Sequence, residues 1–145
     1  RVQACIEEVA GERFAVRNSG VEAVVEGVGD SACEYMTGGV VIVLGTYGKN
    51  FGAGMSGGIA YVYQEDKDRS YRINKEMVEL EECTANDLEK IRILLRAHFN
   101  YTSSNLALDI LNEWYDLSKH CLKVMPTEYK KALLRESLIS ATLPV

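Results

Sequence analysis

The sequence predicts a mainly β chain: a parallel β-helix wound as a single-stranded coil with rungs of roughly 18–19 residues, followed by a tail of about three α-helices. Three observations predict it. An internal repeat runs through the first half, Ser/Thr-Gly steps recur in register with that repeat, and beyond residue 83 the apolar spacing becomes helical. Residues 1–83 are accordingly expected to form the β unit, lacking its first coils, and residues 84–145 a helical unit packed on or beside it.

The repeat is explicit. Asn18-Ser19-Gly20-Val21-Glu22-Ala23-Val24-Val25-Glu26-Gly27 aligns with Met36-Thr37-Gly38-Gly39-Val40-Val41-Ile42-Val43-Leu44-Gly45, and then with Met55-Ser56-Gly57-Gly58-Ile59-Ala60-Tyr61-Val62-Tyr63, at steps of 18 and 19 residues. The same steps align Gly11, Gly29 and Gly48, and also Phe14, Ala32 and Phe51. Such a unit is too short for helix-pair repeats and lacks the leucine ladder of leucine-rich ones, which leaves strands stacked in parallel on their equivalents. Gly11, Gly29 and Gly48 together with Gly20, Gly38 and Gly57 are the expected structural corners, where glycine reaches positive φ without penalty.

Period-2 alternation assigns the faces. Ala23, Val41 and Ala60 with Val25, Val43 and Val62 point inward, while Glu22, Val24 and Glu26 suit solvent. Their outward equivalents are apolar: Val40, Ile42 and Leu44 in one unit, Ile59, Tyr61 and Tyr63 in the next. Those columns need a cover, either the helical half of this chain or a neighbouring domain, and Ile42, Leu44, Tyr61 and Tyr63 are the interface candidates.

After the polar stretch Glu65–Arg69, Met77-Val78-Glu79-Leu80 reads as a short strand. Thr84, three residues before Asp87, has the spacing of an N-cap, and Leu88, Ile91, Leu94 and Leu95 carry a helix to about His98. A second helix is expected from Ser103 or Ser104, with Leu106, Leu108, Ile110, Leu111 and Trp114 as its apolar set. Pro126 fits the first turn of a third, with Tyr129, Leu133 and Leu134.

A formal charge of -5, with scattered basic residues, excludes nucleic acid as the expected partner. No apolar run reaches the roughly 18 residues of a membrane span, and the first residues lack the layout of a secretory signal. A cytoplasmic chain is expected, and the start at Arg1 without Met suggests a piece of something longer. Cys5, Cys33, Cys83 and Cys121 form no CxxC pair, so reduced structural thiols are expected rather than a metal site.

Other chemistry fails on detail. Gly45-Thr46-Tyr47-Gly48-Lys49-Asn50-Phe51-Gly52-Ala53-Gly54 is rich in glycine, but Lys49 precedes Asn50 and another strand, whereas a phosphate loop needs Lys-Ser/Thr opening a helix. His98 and His120 lie near helix ends without ligand or catalytic spacing and read as capping or solvated. Glu7-Glu8 and Glu79-Glu81-Glu82 read as solvated faces, and Trp114 as an anchor between helix and coil.

Longer runs carry a family likeness. Gly11–Gly20, Cys33–Gly39 and Asn50–Gly58, continued by Glu76–Leu80, His98 with Tyr101-Thr102, and Lys123–Pro126 with Tyr129-Lys130, resemble the GXGXG domain at the carboxy terminus of the glutamate synthase large subunit. The resemblance implies a right-handed parallel β-helix with a helical tail. It also implies membership in an assembly that hydrolyses glutamine, channels ammonia to 2-oxoglutarate and reduces the imine through an iron–sulfur cluster and FMN. No residue of those steps maps here, so no catalytic, cofactor-binding or metal residues are expected in this chain. FMN and the cluster belong to the parent enzyme. The expected role is non-catalytic placement of the glutaminase and FMN domains, with the other glutamate synthase domains or subunits as partners, no membrane contact, and self-association through the open β-helix end. Two alternatives are a nucleotide- or flavin-phosphate-binding domain and the GXGXG subunit of formylmethanofuran dehydrogenases, of which the helical tail disfavours the second.

Overall fold

The computed structural model describes residues 3–9, 19–29, 32–48, 51–64, 73 and 78–142. Strands β1 (Gln3–Val9), β2 (Ser19–Gly27), β3 (Thr37–Thr46), β4 (Gly57–Tyr63), β5 (Val78–Glu82) and β6 (Cys121–Pro126) form one sheet, in the order β1-β2-β3-β4-β6-β5. Helices α1 (Ala85–Thr102), α2 (Asn105–Asn112), α3 (Trp114–Leu117) and α4 (Thr127–Thr142) complete an α/β fold.

The repeat sets the strand register. Ala23 pairs with Val41 and Val41 with Ala60, Val25 with Val43 and Val43 with Val62, all in parallel. The returns between strands are also bonded to one another: Gly52 N–H donates to Ala32 O at 3.0 Å and Tyr35 N–H to Ala53 O at 2.9 Å.

The right-handed parallel β-helix is nevertheless overturned, and with it the tail of about three helices. The sheet is mixed, because β6 runs antiparallel to β4 and β5 antiparallel to β6. A β-helix coil contributes strands to more than one sheet, whereas the described returns hold turns and the isolated Phe51–Ile73 bridge. The physical reason lies in β6. The free edge of β4 needs backbone partners, and Cys121–Tyr63 through Val124–Ala60 supply them from within the helical half. The parallel stack therefore ends on an antiparallel ribbon, and residues 84–142 contribute four α-helices and a strand.

Alternation then makes two cores. On one face Val25, Val41, Val43, Ala60 and Val62 pack with Met36, Phe51 and Met55 from the returns. On the other, Val24, Ile42, Leu44, Tyr61 and Tyr63 pack against Ile91, Leu94 and Leu95 of α1 and Ala107 and Ile110 of α2. Each fully buried Leu or Ile contributes roughly 1.5–3 kcal/mol, so Ile42, Ile91, Leu95 and Ile110 make this second face a substantial stabilising core in its own right.

Helix starts follow local chemistry. Thr84 caps α1 in a reciprocal capping box with Asp87, and Ser103 ends the helix in the left-handed region with its N–H on Phe99 O at 2.7 Å. Ser104 Oγ accepts from Ala107 N at 3.2 Å to start α2. Pro126 closes β6 rather than opening the last helix, which begins at Thr127.

Candidate functional site

The residues that could carry function lie where the outward columns of the sheet meet α1. Ile42, Leu44, Tyr61 and Tyr63 are all buried there, so their cover is the chain's own α1 and α2. The polar members of the same columns are covered too. Glu22, expected in solvent, is 6% exposed and faces Lys90 Nζ at 3.5 Å. Glu26 Oε2 lies 3.2 Å from Nε2 of His98, which is 0% exposed.

His98 is thus an interior residue, not a capping or solvated one. It extends the stripe Ile91, Leu94, Leu95 by one turn, so its side chain must enter the same face. That spacing was visible in the sequence; its acceptor on β2 was not. Thr102 Oγ1 donates to His98 O at 2.7 Å, which fixes the last turn above it.

A second polar cluster joins three elements. Asp87 accepts from Tyr61 Oη of β4 at 2.6 Å, from Thr84 N at 2.8 Å and Oγ1 at 3.0 Å, and from Lys123 Nζ of β6 at 3.2 Å. Burial pushes the Asp87 carboxyl up, but the hydrogen bonds from Tyr61, Thr84 and Lys123 outweigh it and leave the group below its ordinary value. Burial, then the neighbouring Asp87, pushes the Tyr61 phenol well above its ordinary range. At the β5 edge of the ribbon, Lys130 of α4 bridges Glu79, at 3.0 Å, and Glu81, which hold its ammonium charged beyond the usual lysine value.

The expected corner glycines fall in several places. Gly11 lies outside the described residues, as do Phe14, Lys49, Asn50, Met77 and the stretch 65–69; of the side chains of Cys5, Glu7 and Glu8 nothing is described. Gly48 N–H donates to Gly29 O at 3.3 Å. Gly20, Gly38 and Gly57 sit within β2, β3 and β4, and the left-handed conformation falls one residue later, at Gly39 (φ 85°) and Gly58 (φ 75°).

Glycine is needed at these steps because backbones approach closely. A Cβ on Gly58 would stand 2.7 Å from Met36 Cε and 2.8 Å from Gly38 backbone atoms, and one on Gly57 would stand 2.1 Å from Thr37 O. A groove of about 400 Å³ runs past Gly20, Gly38, Gly39 and Gly58, with Lys90 and Tyr129 on its wall. The Glu22 carboxylate lies in that wall beside Lys90, an unfavourable neighbour for a phosphate.

Among the described residues no group of three or more His, Cys, Asp and Glu could hold a metal ion. Cys33 sits in the first core, apart from Cys83 and Cys121 beside the second, so the described thiols do not fit an iron–sulfur cluster. No described helix is long and apolar enough to cross a membrane.

Fold and site together define a small α/β domain, with parallel strands registered through glycine steps and buried polar groups tying sheet to helix. The chain belongs to the GXGXG motif family, whose pattern matches residues 2–127. It is 53% identical over 133 residues to the glutamate synthase (NADPH) large chain of Bacillus subtilis, covering 90% of this chain and 9% of that protein. It is 53% identical over 135 residues to the glutamate synthase (NADH) of Schizosaccharomyces pombe, covering 92% of this chain and 6% of that protein. The ferredoxin-dependent glutamate synthase 1 of Arabidopsis thaliana is 54% identical over 106 residues, 72% of this chain and 6% of that protein. The chain therefore spans less than a tenth of the length of these relatives.

Proposed function

We propose that this chain serves as a non-catalytic structural domain of a glutamate synthase, holding the glutamine-hydrolysing and FMN-dependent synthase regions of a cytoplasmic assembly in fixed relation. The observation that carries the reading is the extent of the likeness: 90% of this chain aligns at 53% identity with a segment making up 9% of a glutamate synthase large chain. The buried chemistry supports it. Asp87, Tyr61, Lys123, His98 and Glu26 are engaged with one another at the sheet–helix interface, an arrangement suited to rigidity rather than turnover.

FMN and the iron–sulfur cluster are placed by this reading in the rest of the assembly, and no step is assigned to them here. The relatives differ in the donor their names carry, NADPH, NADH or ferredoxin, while all three match this segment, which fits a domain that does not choose the donor.

Two measurements test the proposal. The purified chain is expected to hydrolyse no glutamine, form no glutamate and carry no flavin absorbance; any of these activities refutes it. Deleting the equivalent segment from an intact glutamate synthase is expected to lower glutamine-dependent glutamate synthesis more than glutamine hydrolysis. Equilibrium dialysis with FMN and ADP decides against a phosphate-binding role if neither is retained.

A further inference from the structure

Cys83 directly follows β5, and Cys121 opens β6. The antiparallel register pairs Leu80 with Val124, Glu81 with Lys123 and Glu82 with Leu122, so the next step sets Cys83 opposite Cys121. The contact agrees: Cys83 Sγ donates to Cys121 O at 3.6 Å. Directly opposed residues of an antiparallel pair have Cα atoms roughly 4.5–5.5 Å apart, inside the roughly 4.4–6.8 Å that a disulfide spans. Both thiols are partly buried, and both line a cavity of about 570 Å³ shared with Gln64, Leu88 and His120. Cys33, by contrast, is fully enclosed in the first core.

We propose that Cys83 and Cys121 constitute a two-electron redox site, which closes to a cross-strand disulfide by exchange with a small-molecule disulfide reaching it through this cavity. One cysteine thiolate attacks the oxidant, forms a mixed disulfide and releases the first small thiol. The other cysteine attacks the protein sulfur of that mixed disulfide and releases the second. One protein S–S bond forms and one small-molecule S–S bond breaks; two electrons pass from the cysteines to the oxidant, and both protons finish on the released thiols.

The consequence is mechanical. Cys83 immediately precedes the Thr84 cap of α1, and Cys121 lies two residues before Lys123, so the bond clamps the start of α1 to β6 beside Asp87. The exchange is slow near neutrality. Burial pushes both thiols up to about 12; Asp87 raises Cys83 further while Lys123 lowers it, and Cys83 raises Cys121. Glu82, Lys119 and His120 complete the charged or titratable lining. Below that value the reactive thiolate grows about tenfold per pH unit, and the closing rate with it.

The test takes the full chain to constant composition in glutathione buffers of graded ratio at mildly alkaline pH, followed by acid quench, alkylation and peptide mass spectrometry. The expected product is a cross-linked peptide pair containing Cys83 and Cys121, whose ratio to the dithiol form rises in proportion to oxidised glutathione over the square of reduced glutathione. Its formation should raise the thermal midpoint by on the order of 10 °C, as expected for closing a loop of this span. Two free thiols at the most oxidising ratio overturn the proposal. So do stable glutathione adducts on either cysteine, or cross-links made instead to Cys5 or Cys33. In Cys83→Ser and Cys121→Ser the remaining thiol should form no intramolecular bond; the peptide map of the unaltered chain stands even where a variant fails to fold.

Discussion

Replacing Asp87 with Ala should destabilise the chain by about 3 kcal/mol. The Asp87 side chain is 10% exposed and its carboxylate accepts from four donors: Tyr61 Oη, Thr84 N, Thr84 Oγ1 and Lys123 Nζ. Losing the capping-box partner alone costs about 1 kcal/mol. Stranding the buried Tyr61 hydroxyl adds roughly 1–3 kcal/mol. Breaking a buried ion pair costs roughly 3–5 kcal/mol in all, and the lower end applies because Lys123 keeps 12% of its side chain exposed and can turn toward water. Urea unfolding at neutral pH measures the difference by linear extrapolation, and the thermal midpoint should fall by about 10 °C. The effect has a pH signature. The native Asp87 carboxyl titrates below its ordinary 3.8, so the stabilisation is fully present above that pH and is lost as pH falls through the lower native value. The gap between the unaltered chain and Asp87→Ala should therefore close in acid. A neutral-pH loss under about 1 kcal/mol, or a gap unchanged by acid, refutes the network as described.

Three further outcomes are expected. Gly58→Ala should cost about 2 kcal/mol or more, from its positive φ and the 2.8 Å approach to Gly38, while Gly20→Ala, with nothing within 4 Å of a new Cβ, should be near neutral in the same urea assay. His98→Ala should cost about 3 kcal/mol, and a double-mutant cycle with Glu26→Gln should return a coupling of roughly 0.5–3 kcal/mol; additivity would argue against the contact. Leu138→Glu, on the exposed face of α4, should change stability by no more than about 0.5 kcal/mol, and a larger loss would mean that this face is packed.

For function, the geometry redirects attention from glycines to interfaces. Gly57 and Gly58 sit where β3 and β4 approach closely, and the groove past that step carries the Glu22 carboxylate, so these two glycines are accounted for by strand packing. The same residues that seal the outward columns, Ile91, Leu94, Leu95 and Ile110, leave Ile42, Leu44, Tyr61 and Tyr63 no open surface.

Some of this was legible along the chain because its causes are local or repeated. The repeat, at steps of 18 and 19 residues, aligned Ala23 with Val41 and Val41 with Ala60, and a one-residue slip of either pair would turn its buried side chains to the opposite face. Thr84 and Asp87 announced the start of α1 because a cap is made by residues three apart. The mixed sheet could not be read the same way. Cys121–Pro126 is a short stretch whose strand character depends on the free edge of β4 and on β5, both remote in sequence, and no local pattern encodes an edge waiting to be filled. Glu22 and Glu26 looked solvated for the same reason, because the Lys90 and His98 that face them arrive on a helix folded back from the second half. Sequence determined what each residue offers its near neighbours and its repeat equivalents; only the tertiary structure decided which distant groups would desolvate together, because burial and charge pairing belong to the assembled surfaces and not to any single segment.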